Sequence, residues 1–198
     1  KGKEIHEDIV SRGLLEKDIV LGNALVDMYA KCGALAKAQE VLEELSTRDI
    51  VSWNAILSAY LDQYYAEKAI QTYRQIYEEG MEPNDRTFVI ALQVCCILKE
   101  MDDHVSDSEH RICPLELGRA IHSDARRTFF DKKLFVLNAL ISMYAKCGTI
   151  KDVLSMFSAS SHVDKVSWNT LISACADHGL EEEALQLYHE MHMKDISP

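Results

Sequence analysis

The feature that most constrains this chain is a stretch of sequence that occurs twice. Residues 23–33 read NALVDMYAKCG and residues 138–148 read NALISMYAKCG, at an offset of 115 residues. The same offset relates VSWN at 51–54 to VSWN at 166–169. Because one offset holds over so long a stretch, the sequence predicts an array of repeated structural units.

Apolar residues in each unit recur at helical spacing. Leu25, Met28, Tyr29 and Cys32 follow an i, i+3, i+4, i+7 pattern, and Gly33 marks the end of that helix. A second stripe follows at Leu35, Ala38, Val41, Leu42 and Leu45. Neither helix can bury its stripe alone, whereas a helical hairpin stacked on its neighbours can. We therefore predict an all-α fold of stacked helix-turn-helix units.

The spacing of these motifs predicts six units. They are the second helix of a long unit at 1–18, short units at 19–49 and 134–164, standard units at 50–84 and 165–198, and a long unit at 85–133. The last unit lacks its final position, and the first residue is Lys1 rather than methionine. We therefore expect a fragment of a longer protein.

The long unit contains an acidic stretch with no apolar period, residues 99–114, which we expect to be a surface insertion that the fold tolerates. A solvated loop is one interpretation. A metal site is the other, since His104, His110 and Cys113 lie in it. Their spacing matches no metal-binding template, so we favour the loop and predict no metal or cofactor.

Composition restricts the function further. The net charge is −11, which argues against a general binder of polyanions. No apolar run reaches the roughly 20 residues of a membrane span. The six cysteines form no C-x-x-C motif, so a reducing compartment is expected, with Cys32 and Cys147 as packing residues.

Units of three lengths in strict rotation, carrying NALxxMYAKCG and VSWN, make this chain resemble the plant PLS-class pentatricopeptide repeat (PPR) proteins. The resemblance covers the whole chain except the insertion. It implies a right-handed α-solenoid with the first helix of each unit on the concave face. It also implies binding of single-stranded RNA in a mitochondrion or chloroplast, at about one base per repeat.

The resemblance also assigns base recognition to two positions of each unit, the fifth (position 5) and the last. These residues are Asn23 with Asp49, Asn54 with Asn84, Asn138 with Asp164, Val89 with Lys133, and Asn169, whose unit lacks its last position. By the family's pattern Asn/Asp favours uracil and Asn/Asn favours a pyrimidine, while Val/Lys is indifferent. The expected RNA is therefore rich in pyrimidines. The alternative is that each asparagine merely caps a helix.

Position 2 of each unit is assigned to stacking against the bases. The residues there are Val20, Val51, Arg86, Phe135 and Val166. Lys31 and Lys146 stand where the family often places a phosphate contact, but Asp62 and Asp177 occupy that place in the standard units. The aspartates weaken the expected electrostatic attraction for RNA.

The function implied is an RNA-binding module of an organellar RNA-processing or editing factor, monomeric, with editing or processing proteins as further partners. The alternative is a solenoid scaffold that binds proteins, which the acidic balance would allow. Relatives carry a deaminase-like domain whose chemistry needs H-x-E and P-C-x-x-C. Neither motif occurs in this sequence, so we predict no enzyme activity.

Overall fold

A computed structural model describes residues 2–15, 18–102, 112–160 and 163–196. Within those ranges it contains eleven α-helices, one 3-10 helix at Phe130–Lys132 and no strand, so the predicted all-α class is confirmed. The helices are α1 Gly2–Ser11, α2 Ile19–Lys31, α3 Leu35–Glu44, α4 Ile50–Asp62, α5 Ala66–Glu78, α6 Asp85–Asp102, α7 Pro114–Arg127, α8 Leu134–Cys147, α9 Ile150–Ala159, α10 Lys165–Asp177 and α11 Glu181–Met193. Across the described ranges no helix combines the length and apolarity that crossing a membrane requires.

The chain divides into two compact bodies, Lys1–Ile90 and Ala91–Pro198, and α6 contributes to both. In the amino-terminal body α2 packs against α3 and α4, and α4 packs against α5. In the carboxyl-terminal body α8 packs against α9 and α10, and α10 packs against α11. Each body is thus built from helical hairpins whose first helices lie side by side.

Side-chain caps define where three of the first helices, α2, α4 and α10, begin. Asp18 accepts hydrogen bonds from the Val20 and Leu21 amides, which would otherwise have no partner in the first turn of α2. Asp49 and Asp164 do the same for α4 and α10, each in a capping box with the serine three residues later. Each of these three helices therefore begins directly after an aspartate that caps it.

The buried face of α2 differs from the predicted stripe. Leu25 and Tyr29 are buried as expected, but Val26 and Ala30 join them, while Met28 is half-buried and Cys32 is exposed. The reason is that α2 packs against two helices, α3 and α4, so two adjacent rows of side chains are covered. A single stripe at i, i+3 and i+4 describes contact with one neighbour only.

The prediction that Cys32 is a packing residue is therefore wrong. Cys32 is the C-terminal cap of α2 and is exposed, one residue before Gly33 ends the helix with φ +75°. Cys147, at the corresponding position of α8, is half-buried and its Sγ donates to the Cys95 carbonyl oxygen at 3.5 Å. The long helix α6 provides that cover for Cys147.

The insertion is shorter at its amino end than predicted. Helix α6 continues through residues 99–102, where Glu100 pairs with Lys146 of α8 at 2.5 Å. At the other end Pro114 is already the first residue of α7, a favourable place for proline. Residues 103–111, with His104 and His110, lie outside the described residues, and Cys113 is exposed.

The two copies of the short unit differ in which of two corresponding positions carries the larger side chain. A side chain at Gly22 of α2 would place its Cβ 2.4 Å from Cδ2 of Leu45, which is buried. The corresponding residues of the second copy are Leu137, which is buried, and Ser160, and both line one cavity of about 800 Å³. In the first copy the small residue lies in the first helix and the large one directly follows the second helix. In the second copy this order is reversed, and the two residues together have a similar volume.

We predict that Gly22→Leu destabilises the protein by about 1–3 kcal/mol, because the added side chain meets Leu45. The second change Leu45→Ser should recover part of that loss, giving a favourable coupling of about 0.5–3 kcal/mol in a double-mutant cycle of urea unfolding. Additive effects of the two substitutions would show that Gly22 and Leu45 do not share one space.

Candidate nucleic-acid interface

Three position-5 asparagines form hydrogen bonds to the last residue of their own unit. In each case the amide Nδ2 donates to a side-chain oxygen some 26–30 residues later in the sequence. The bonds run from Asn23 to Asp49 Oδ1 at 3.1 Å, from Asn54 to Asn84 Oδ1 at 3.1 Å, and from Asn138 to Asp164 Oδ1 at 3.1 Å. The structure therefore brings together the two side chains of every pair that contains an asparagine and a complete unit.

These contacts decide against the alternative that the asparagines cap helices. Helix α2 is capped by Asp18, five residues before the helix-internal Asn23. Likewise α4 and α10 are capped by Asp49 and Asp164, and Asn54 and Asn169 lie inside those helices. The last residue of a unit thus caps the next first helix and also holds the asparagine of the preceding one.

Hydrogen bonds keep the two boundary aspartates ionised. Burial by itself would raise the pKa of Asp49, but donors from Ser52, Asn23 and the Val51 amide outweigh it and the pKa is lowered. For Asp164 burial is likewise opposed, here by Ser167, Asn138 and the Val166 amide, and the pKa is again lowered. These two unit boundaries therefore present a carboxylate anion at neutral pH, and they keep it to a lower pH than an ordinary aspartate would.

A hydroxyl completes two of the pairs, and sequence analysis missed it. Thr87 Oγ1 donates to Asn54 Oδ1 at 2.8 Å, and Ser167 Oγ donates to Asn138 Oδ1 at 2.5 Å. Both hydroxyl residues are fully buried. The signal was present as the spacing Asp164-x-x-Ser167, which is the capping-box pattern.

The position-2 side chains are exposed beside these pairs. Val20, Val51, Phe135 and Val166 have 71%, 56%, 75% and 49% of their surface exposed, and Arg86 is exposed as well. Each lies in or near the first turn of a first helix. Apolar side chains so open to water offer surfaces against which a flat ring can pack.

In the amino-terminal compact body, residues predicted to contact RNA in two neighbouring repeat units line one groove. Its volume is about 460 Å³, and it lies between α2 and α4 with Asn23, Asn54, Val51 and Lys31 in its wall. Asn54 is only 3% exposed, so a ligand in the groove reaches the edge of its amide rather than the whole group. The groove also contains Asn84, Arg86, Asp27 and Asp62.

Both predicted phosphate-binding lysines already have carboxylate partners. Lys31 Nζ lies 2.7 Å from Asp27 Oδ2 one helical turn earlier, and Lys146 Nζ lies 2.5 Å from Glu100 Oε1. The hydrogen bond to Glu100 raises the pKa of Lys146. Exposed ion pairs of this kind contribute only about 0–1 kcal/mol, so a phosphate can replace the carboxylate, but the local charge is neutral beforehand.

The remaining residues predicted for base recognition do not form such a hydrogen-bonded pair in the described part of the chain. Val89 is half-buried in α6 and Lys133 is exposed before α8, where it provides no side-chain cap. Asn169 is exposed in α10. In the part of the chain that the structure describes, no three histidine, cysteine or acidic side chains are grouped as metal ligands would be.

Replacing Asp49 tests its role as a cap. We predict that Asp49→Ala lowers the free energy of unfolding by about 0.5–2 kcal/mol at pH 7. Because the folded-state pKa is below the ordinary 3.8, this stabilisation is complete above that value and declines as the pH falls towards the lowered one. Urea unfolding of both proteins between pH 7 and pH 3 measures the difference. A difference that does not shrink in acid would mean that the ionised carboxylate is not the stabilising group.

Comparison with known proteins follows the same repeats. Models of the PPR repeat match residues 23–50, 135–159 and 166–196, and a model of the PPR repeat family matches 48–97. Two chloroplastic pentatricopeptide repeat-containing proteins of Arabidopsis thaliana are similar. One is 35% identical over 96% of this chain and 28% of its own length. The other, CRR2, is 34% identical over 100% and 28%.

Solved structures similar to this chain include the maize pentatricopeptide repeat protein PPR10 in complex with an 18-nt psaJ RNA element. It is 19% identical, with a TM-score of 0.43, over 100% of this chain and 38% of that one. The present chain spans about a quarter of the curated relatives it matches, as for a putative Arabidopsis pentatricopeptide repeat-containing protein that is 31% identical over 26% of its length. The matches to the repeat models and to these relatives show that the chain belongs to the pentatricopeptide repeat family.

Proposed function

We propose that this chain is a sequence-selective module for single-stranded RNA, with about one base read by each unit. The observation that carries the proposal is the hydrogen-bonded pair of position 5 and the last residue, which recurs three times at 3.1 Å. A bond needed only for stability would not require two polar side chains at every such boundary, since apolar packing would serve there too.

The Asn/Asp pairs match the edge of uracil. In Asp164 it is Oδ1 that accepts from the Ser167 amide at 3.0 Å and from Asn138 at 3.1 Å. Oδ2 takes part in none of these bonds and can accept the N3–H of uracil, while the second N–H of Asn138 donates to a uracil carbonyl. Cytosine carries a lone pair at N3, which the carboxylate would repel.

The Asn/Asn pair has a different polarity. Asn84 Oδ1 accepts from Asn54 Nδ2 at 3.1 Å and from the Thr87 amide at 3.0 Å, so the oxygen end of this side chain faces the protein. Its NH₂ group is then the end that can meet a base, together with the second N–H of Asn54. Two donors suit the N3 and O2 acceptors of cytosine as well as the carbonyls of uracil.

Stacking and charge complete the proposal. Val20, Val51, Phe135 and Val166 would cover the faces of successive bases, and Arg86 can stack through its guanidinium. Lys31 and Lys146 would exchange their carboxylate partners for phosphates. With Asp62 and Asp177 also at this surface, affinity should be weak and should fall further with salt.

We further propose that the chain serves an RNA-processing or editing factor of an organelle, a chloroplast or a mitochondrion, as a monomer with protein partners of that process. Several relatives are named chloroplastic, which supports an organelle in general. No motif in the sequence supplies chemistry of its own, so the module would select the RNA while another part or partner acts on it.

The proposed readout, from the 5′ end and the amino end together, is U, then C or U, then any base, then U, then a pyrimidine. Each of the three complete pairs should contribute on the order of 1–3 kcal/mol of discrimination. Fluorescence anisotropy with single-stranded RNAs varied at one base, at two salt concentrations, measures it. Equal affinity for all RNAs, or tighter binding of a basic protein, would instead favour the protein-binding scaffold.

Asn138→Thr tests one pair in isolation. By the family's pattern Thr/Asp favours guanine, so preference at the fourth base should move from U to G while the other bases keep theirs. Asp164→Asn is a matched change that retains a capping side chain and should admit C at the same base. If Asn138→Thr lowers affinity for all RNAs equally, Asn138 is structural and does not read a base.

A further inference from the structure

Two of the position-5 amides are held at both ends, and the third is held at one. For Asn54 and Asn138, Nδ2 donates to the last residue of the unit and Oδ1 accepts from Thr87 or Ser167. For Asn23 only Nδ2 is engaged, and its buried Oδ1 lacks a hydrogen-bond partner in the described structure. The corresponding hydroxyl, Ser52 Oγ, lies 3.0 Å from the Asp49 carbonyl oxygen and 3.1 Å from Asp49 Oδ1, and it forms no hydrogen bond to Asn23 Oδ1.

The orientation of an asparagine amide decides what it offers to a base. A free amide can turn about its terminal bond and present either a donor or an acceptor. Ser167 and Thr87 are fully buried, so an oxygen that accepts from their hydroxyls points into the protein. One N–H is used on Asp164 or Asn84, and the second N–H is what remains for a ligand.

We propose, building on the RNA-binding function above, that Ser167 and Thr87 are positioning residues for base selection. Their hydroxyls hold the Asn138 and Asn54 amides so that these present a hydrogen-bond donor and not an acceptor. The base selected must then carry an acceptor at the facing atom. The last residue of the unit decides between the bases that meet this condition.

The distribution of hydroxyls along the chain supports the assignment. The third residue of α4 and α10, Ser52 and Ser167, follows a unit whose position 5 is asparagine, and so does Thr87 of α6. The third residue of α8 is Val136, and it follows the unit whose position 5 is Val89. The hydroxyl is absent at the boundary where there is no amide to orient.

The test uses the whole chain and RNAs that differ only at the fourth base. Ser167→Ala frees Asn138 Oδ1, so selectivity for U over the other bases should drop by about tenfold, within the range of one specific contact. Ser167→Thr keeps the hydroxyl and should keep the selectivity. A role limited to stability would lower the affinity for all four RNAs by one common factor, and that result would overturn the proposal.

Ser52→Ala is the matched control, because it removes the equivalent capping-box hydroxyl without removing a bond to Asn23. Selectivity at the first base should change less than selectivity at the fourth base does in Ser167→Ala, while both variants lose similar thermal stability. Equal losses at the two bases would contradict the proposal. If the unaltered chain shows no base preference, the proposed function itself fails; if it is selective and Ser167→Ala stays selective, only the positioning role fails.

Discussion

The hydrogen bond that crosses three of the unit boundaries is the contact on which the rest of this structure depends. An aspartate such as Asp164 ends one unit, begins the next first helix and restrains the asparagine of the first helix before it. Neighbouring first helices are thereby connected by a directional contact as well as by apolar packing, which is non-directional. The residues proposed to recognise bases are therefore the same residues that connect neighbouring first helices.

The double role of these aspartates also bears on the negative charge of the surface. An acidic chain is a poor candidate for long-range attraction of RNA, and the lysines nearest the pairs already have carboxylate partners. Hydrogen bonds from neighbouring groups lower the pKa of the Asp49 and Asp164 carboxylates. These carboxylates would interact with a base only at hydrogen-bonding distance. The proposed recognition would therefore come from short contacts to base edges and faces, with little contribution from long-range charge.

Much of the fold follows from the sequence, because helical period, helix caps and the repeat offset are all local or periodic signals. The helices and the Gly33 end were open to prediction in this way, whereas the pairing of Asn23, Asn54 and Asn138 with unit ends was expected only from the family resemblance. The exposure of Cys32, the extra burial of Val26 and the continuation of α6 to Asp102 were not. Each of those depends on how many neighbours a helix has, and a period along one helix carries no such information. The hydroxyls of Thr87 and Ser167 belong to the same class, since their second partner lies 33 and 29 residues away.

The exchange of Gly22 and Leu45 for Leu137 and Ser160 sets a rule for how such a chain can be recombined. A crossover between the two helices of a hairpin would join two large residues in one product and two small ones in the other. A crossover at a unit boundary would keep each pair intact and would also carry the capping aspartate with its asparagine. Whole hairpins, rather than single helices, are thus the smallest segments that can be shuffled, duplicated or grafted without repair elsewhere.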